Sequence, residues 1–297
     1  MRAEILLHTE KEEFISFCLK HKHEVDDSFL YEKDLENFSP NEENPTYIVK
    51  EDGNIIAAVS LILDDYHRRG RNGRFRIFYS EDKEFDTYSV LFKEILNGLK
   101  EIDKLFLFVP LVNTQLSENM KSLHFTIDRY VYLLLKEIRQ PEKIELPVGY
   151  GIKSLQVGSE EESWCHIRNT AFSALKGNTT TITAEMVSKQ INSPEYLEGG
   201  MLFLMHDNSP VGIVRGAHDD YEGEPAMNIG PLAILPAYQG KGLGKQLLRA
   251  SIDFAQKRNY KKVMLCVNAD NEKAKELYLK EGFLQVEGVA TYEYPVI

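Results

Sequence analysis

The 297-residue chain is predicted to form two α/β domains laid out on one plan. Its length suits two domains at about 150 residues each. One succession of secondary-structure signals runs through the chain twice. Only in the second run do three glycines join an apolar strand to an amphipathic helix, and that difference separates the halves chemically.

In the first half, residues 3–7 read as a strand, and Thr9-Glu-Lys-Glu12 has the form of a capping box that opens a helix bearing Phe14, Phe17 and Cys18. In the second half, residues 150–155 and Ser159-Glu-Glu-Glu162 repeat this 150 positions later, ahead of Trp164, Ile167 and Phe172. A hairpin follows in each: residues 47–62 turn at Asp52-Gly53 and residues 201–214 at Asp207-Asn208, with Ala57 and Gly212 at an offset of 155. The strands 105–109 and 263–267 match at an offset of 158, as do Leu123-His-Phe125 and Glu281-Gly-Phe283. Four segments in one order mark an internal duplication. Between the copies, Arg139-Gln-Pro-Glu-Lys-Ile-Glu-Leu-Pro-Val-Gly149 carries two prolines and no periodicity, so domains are expected at 1–140 and 150–297 with a linker at 141–149.

The glycine turn lies in Pro236-Ala-Tyr-Gln-Gly-Lys-Gly-Leu-Gly-Lys-Gln-Leu-Leu248, after a strand at 227–235 and before a helix whose Leu243, Leu247, Ala250, Phe254 and Ala255 follow helical spacing. Gly240, Gly242 and Gly244 can take backbone conformations closed to other residues, which lets successive N–H groups converge on an anion at the positive end of the helix. An ordinary strand-to-helix turn satisfies the same pattern. A nucleotide P-loop would need glycine at 239 and Ser or Thr at 246, where Gln239 and Gln246 stand, and a dinucleotide loop would need glycine in place of Lys245.

What remains, Gln-x-x-Gly-x-Gly at Gln239, Gly242 and Gly244, resembles the diphosphate loop of the GNAT superfamily of acyl-CoA-dependent N-acyltransferases. The likeness continues through Asn268 and Asn271, Ala274 and Tyr278, and Gly282-Phe283, while the duplicated plan resembles the tandem proteins of that family. The resemblance implies two GNAT-like domains, each a twisted mixed β-sheet flanked by helices. It implies acetyl-CoA as co-substrate, held by the backbone of Leu232, Ala233 and Ile234, by Gln239, Gly240, Lys241, Gly242, Leu243, Gly244 and Lys245, and by Asn268, Asn271, Ala274 and Tyr278. Ala274 and Tyr278, four apart, share a helix face. The resemblance gives Tyr278 the catalytic role of general acid to the departing thiolate, suited to a phenol of pKa about 10. A packing tyrosine fits the same position. Pro231 removes a backbone donor and fits a bulge or splay in the strand. Lys241, Lys245 and Arg249 are placed to balance phosphates, or to form a solvated basic face.

One family feature is missing. Many members carry a glutamate on this strand as general base, but the stretch here is Asn228-Ile-Gly-Pro, so the base is unassigned. Glu195, Glu198, Asp219, Asp220 and Glu222 are expected to line the substrate entrance. Cys266 in its apolar strand reads as a core residue, which favours direct attack in a ternary complex over an acyl-cysteine route. In the first half, at an offset of 156, residues 83–88 replace the loop without a glycine, and Met120 stands where Tyr278 falls. That copy is expected to be degenerate, serving as scaffold or substrate lid.

The expected function is therefore acetyl transfer to a primary amine of a small molecule or peptide. A non-catalytic acyl-CoA sensor or partner-docking module is the second reading. A net charge of -11 and a pI near 5.3 argue against nucleic acid or an anionic membrane as partner. No apolar run approaches the roughly 20 residues of a membrane span, and the apolar stretch near Met1 is too short for a signal peptide, so a cytoplasmic location is expected. The three cysteines are too scattered for a disulfide framework, and no metal site is expected. The sequence does not specify the oligomeric state.

Overall fold

The computed structural model describes residues 2–175 and 180–296, the side chain of Lys33 excepted. In chain order the elements are β1 (Glu4–Ile5), α1 (Lys11–His21), α2 (Glu32–Leu35), β2 (Thr46–Glu51), β3 (Asn54–Ile62), α3 (Asp65–Arg69), β4 (Asn72–Ser80), α4 (Phe85–Gly98), β5 (Lys104–Pro110), α5 (Thr114–Ser122) and β6 (Thr126–Glu137). There follow β7 (Tyr150–Ser154), α6 (Glu161–Phe172), α7 (Ala184–Gln190), β8 (Tyr196–His206), β9 (Ser209–Tyr221), β10 (Glu224–Ile234), α8 (Leu243–Lys257), β11 (Lys262–Asn268), α9 (Glu272–Lys280) and β12 (Leu284–Pro295). They form two compact units, Met1–Val131 with Gly288–Ile297, and Tyr132–Glu287. These limits do not coincide with the compositional break at 141–149.

In the first unit the strand order is β1-β2-β3-β4-β5-β12. Neighbours are antiparallel except β4 and β5, which pair in parallel only over Asn72–Arg74 and Lys104–Phe106. The sixth strand is the far end of the sequence: Val289 to Pro295 pairs with Pro110 to Lys104, and Ala290 and Tyr292 enter the core with Phe75, Phe78, Phe92 and Phe125.

The second unit repeats the plan, with strand order β7-β8-β9-β10-β11-β6. Here β10 and β11 pair in parallel only over Ala226–Asn228 and Lys262–Met264. Its sixth strand is Tyr132–Glu137 of β6, whose Leu134 is fully buried among Leu247, Val263 and Phe283. On the opposite sheet face Trp164 and Val187, from α6 and α7, cover Phe203, Ile213 and Ala233. Alternation along β9 produces the two faces: Ile213 joins the Trp164 cluster and Val214 the Leu247 cluster.

Two expectations about helix starts require correction. The first helix is entered through a 3-10 turn at His8–Glu10, where the Glu10 carboxylate accepts the Leu7 N–H at 2.9 Å, so the box is Leu7–Glu10 and not Thr9–Glu12. In the second half Ser159 turns back to the Gln156 carbonyl, while Glu160 and Glu161 accept the N–H groups of Gln156 and Gly158. Glutamates thus satisfy the orphan donors ahead of both helices without the hydroxyl partner the pattern presumes.

From the fourth helix onward the two copies keep one register. Phe85 and Leu243 open α4 and α8, Lys104 and Lys262 open β5 and β11, and Thr114 and Glu272 open α5 and α9, each pair 158 positions apart.

Candidate active site

The site is built where β10 leaves β11. The register of β10 against β9 shifts between Ile229 and Leu232, around Gly230 and Pro231, and then resumes with Leu232 on Val214, Ala233 on Ile213 and Ile234 on Gly212. A strand interior tolerates proline only where the ladder is broken in this way. Beyond Asn228 and Met264 no pairing joins β10 to β11 among the described residues. The edges of Leu232, Ala233 and Ile234 that face β11 therefore lie along an open cleft.

The glycine turn closes one end of that cleft. Gln239 does not reach outward: its side-chain amide donates to the Ile234 carbonyl at 2.8 Å and ties the loop to the end of β10. Gly240 and Gly242 both sit at φ +75°, where a side chain would be strained, and Gly242 is the N-cap of α8 with no side-chain cap hydrogen bond. The first N–H groups of α8, those of Leu243, Gly244 and Lys245, consequently have no capping side chain. Gly244 has no such backbone demand, and a Cβ there would meet Leu232 and Leu277 only at 3.9 Å, an ordinary contact. Packing within the protein does not require glycine at 244.

The first unit answers the same geometry in the opposite way. With helix starts aligned at 158, Gly240, Gly242 and Gly244 fall on Asp82, Glu84 and Asp86, two positions from the offset of 156 expected from the sequence. All three glycines become acids. The Asp82 carboxylate accepts hydrogen bonds from Ser80 Oγ at 2.6 Å, Glu84 N–H at 2.9 Å and Thr87 Oγ1 at 2.6 Å. Burial pushes its carboxyl up, but these bonds outweigh burial and hold it below the usual range. An internal anion occupies the start of α4. The slot beyond the β4–β5 pairing is also filled: Phe75 and Phe78 stack at 5.2 Å, and with Leu107 and Phe108 they line a cavity of only about 10 Å³. That volume admits at most about one water.

On α9, Ala274 is half-buried and Tyr278 is buried within the core under α8. The Tyr278 ring meets Phe283 edge-on at 6.0 Å, and its hydroxyl has no hydrogen-bond partner among the described residues. Burial pushes the phenol up to about 12. Asn271 is the N-cap of α9, its side chain accepting the Ala274 N–H at 3.3 Å. Asn113, 158 positions earlier, caps α5 in the same way, so this asparagine is present also in the copy that has no glycine turn. Asn268 accepts the Asn271 N–H through its carbonyl.

Other polar residues fall into place around the cleft. Lys241 lies over the Tyr238 ring at 5.2 Å, and Lys245 projects from the first turn of α8. Arg249 is not directed to the loop: it pairs with Glu281 at 2.6 Å and donates to the Lys143 carbonyl, fixing residues 142–145 against α8. Cys266 is exposed, contrary to its apolar surroundings in the sequence, because its neighbours Leu265 and Val267 take the buried face of β11. Asn228 donates to the Asp219 carboxylate at 3.0 Å, a link invisible in sequence because it joins adjacent strands. His218 is bonded to the Tyr260 hydroxyl at 2.7 Å and Glu224 to Lys262 at 2.6 Å. Sequence reading overlooked Arg215. Its signal was a lone cation inside the apolar run Val211-Gly-Ile-Val-Arg-Gly-Ala217.

A sheet splayed at this point with a glycine-bounded helix start fits the GNAT resemblance of the sequence. Residues 162–283 match the model of the Acetyltransferase (GNAT) family. Among curated relatives, a mycothiol acetyltransferase of Renibacterium salmoninarum is 30% identical over 173 residues, covering 56% of this chain and 50% of that protein. One from Kocuria rhizophila is 28% identical over 148 residues, covering 48% of each. The chain thus spans about half the length of the curated relatives it matches. Two solved structures share the fold over nearly the whole chain. A GCN5-related N-acetyltransferase from Sphaerobacter thermophilus superposes with a TM-score of 0.72 at 14% identity, over 99% of this chain and 95% of that one. A tandem GNAT protein from the clavulanic acid biosynthesis pathway superposes with a TM-score of 0.70 at 10% identity, over 100% and 98%. No helix among the described residues is long and apolar enough to cross a membrane.

Proposed function

We propose that residues 150–297 transfer an acetyl group from acetyl-CoA to a primary amine of a small molecule or peptide, by direct attack in a ternary complex, and that residues 1–140 bind no cofactor. The observation that carries this reading is the contrast between two helix starts. That of α8 presents uncapped N–H groups after a glycine turn and beside an open strand edge, while α4, whose N-cap Glu84 likewise makes no side-chain cap bond, starts beside the Asp82 carboxylate, which accepts from the Glu84 N–H and the Thr87 hydroxyl. Three glycines with no packing reason for the third suit a ligand brought against the backbone, and the diphosphate of acetyl-CoA is the anion that fits a helix N-terminus. In this reading the pantetheine amides pair with Leu232, Ala233 and Ile234. Lys241 and Lys245 balance charge, and Asn271 contributes by holding α9 in place.

Tyr278 supplies the polar group at the reacting end. A phenol at about 12 is fully protonated at neutral pH. Handing its proton to a thiolate of ordinary pKa, roughly 8.5, would be uphill by about 5 kcal/mol. Donation of a hydrogen bond to sulfur as the C–S bond breaks is the role these magnitudes favour over complete proton transfer.

Titration calorimetry with acetyl-CoA tests the reading. Saturable binding by the full chain is expected, and Gly242→Val should abolish it by straining the N-cap. Undiminished affinity in that variant would remove the loop from the site.

A further inference from the structure

The cleft has a second polar group, on β9. Arg215 lies opposite the break in β10, since Gly216 pairs with Ile229 and Val214 with Leu232 on either side of Gly230 and Pro231. Two residues from Ile213, it shares the sheet face of Trp164, and Asp219, four residues further, shares it too. Asp219 is held in place, one oxygen accepting the Asn228 side-chain amide at 3.0 Å and the other the Asp220 N–H at 2.9 Å. Asn228 is the last β10 residue paired to β11, so this carboxylate stands at the mouth of the open slot.

Arg215 is half-buried, yet its guanidinium makes no hydrogen bond or ion pair to any described residue. Burial holds its pKa down against the opposing charges of Glu195 and Asp219. A guanidinium offers five donors in a planar fork that matches a carboxylate, and leaving them without acceptors in a partly desolvated position is unfavourable. Nothing in the packing of β9 supplies those acceptors. A ligand with an anionic group would.

We propose that Arg215 and Asp219 together select an acceptor that carries both charges, its carboxylate on Arg215 and its reacting amine on the Asp219–Asn228 pair, which makes the acceptor an amino acid or short peptide with a free carboxylate. The proposal rests on the acetyltransferase reading above. Arg215 and Asp219 lie four residues apart on one strand, about 13 Å between Cα atoms, so a long side chain leaning toward Asp219 or a peptide-length acceptor spans them. The reaction balances without a further reactant. The acceptor ammonium gives one proton to solvent by way of the Asp219 carboxylate, and its lone pair forms the N–C bond. The C–S pair leaves with sulfur, and the second N–H proton completes the thiol.

The test is a rate survey with the full chain and acetyl-CoA, reading thiol release from L-amino acids, glycyl dipeptides and the C-terminal amide of each. The favoured acids should lose about 10- to 100-fold in kcat/KM on amidation, mainly through KM. Arg215→Gln should bring the acid-to-amide ratio toward one, Arg215→Lys should recover part of it, and Asp219→Asn should raise the acceptor KM. Calorimetric affinity for acetyl-CoA should stay unchanged in all three, which also reports that they fold. Amides that serve as well as acids, an unchanged ratio in Arg215→Gln, or no carboxylate-bearing acceptor despite tight acetyl-CoA binding would each overturn the proposal. Absence of acetyl-CoA binding by the parent chain would instead fell the acetyltransferase reading, and this inference with it.

Discussion

Tyr278 shows how much a single side chain can depend on what is missing around it. Tyrosine hydroxyls in cores usually find a partner, and this one has none among the described residues although the ring is buried against Phe283. The same burial that raises its pKa to about 12 makes it a weak acid and a well-placed donor. Tyr278→Phe should lower kcat by about 100-fold, as loss of one preorganised donor commonly does, with little change in the KM for acetyl-CoA. It should also leave thermal stability nearly intact, because the hydroxyl satisfies nothing in the fold. Unchanged turnover with an identified amine would return Tyr278 to the packing role its position also suits.

Between single residues and the domain lies the strand-turn-helix element, and here the sequence was legible to different depths. Glycines at 240 and 242 could be read directly, because positive φ restricts the residue type, whereas nothing within the fold itself requires the one at 244. The replacement of all three by acids in the other copy was blurred, since the offset drifts from 150 to 158 and the register becomes constant only at the helices. The link from Asn228 to Asp219 and the isolation of Arg215 depend on strand pairing, which no local pattern encodes. Cys266 was misread for a related reason. An apolar stretch that is buried on both faces in most parallel sheets opens on one face where β11 parts from β10. Among the three cysteines only Cys266 is exposed, so maleimide should modify this residue, and saturating acetyl-CoA should slow the reaction at least about tenfold if the cleft is filled. Equal labelling rates with and without acetyl-CoA would place the ligand elsewhere.

At the scale of the whole chain, the first unit ends in a strand taken from beyond its own stretch of sequence. Tyr292 and Ala290 are buried in the first unit, Tyr294 packs edge-on against Phe92 at 4.9 Å, and Lys104 pairs with Glu293 at 3.0 Å. A chain stopped after Glu287 should therefore lose amide protection along Leu105 and Leu107 in hydrogen exchange, and Tyr292→Ala alone should cost about 3–5 kcal/mol. Full protection in the truncated chain would show the first unit to be complete without its last strand. The linker read from composition gave no warning of this, because prolines and charge report where a chain bends and not which sheet it later joins.

This late strand also sets a timetable. On the ribosome, residues 1–131 emerge early but cannot finish their sheet until Val289 to Pro295 has been made. At roughly 5–20 residues per second that wait lasts on the order of 10–30 s. Throughout it the outer edge of β5 has no strand to cover it, a template for wrong pairing in a crowded cell. The unit synthesised first is thus the one completed last, and the nascent chain's demand for chaperone protection should fall on the half without the glycine turn.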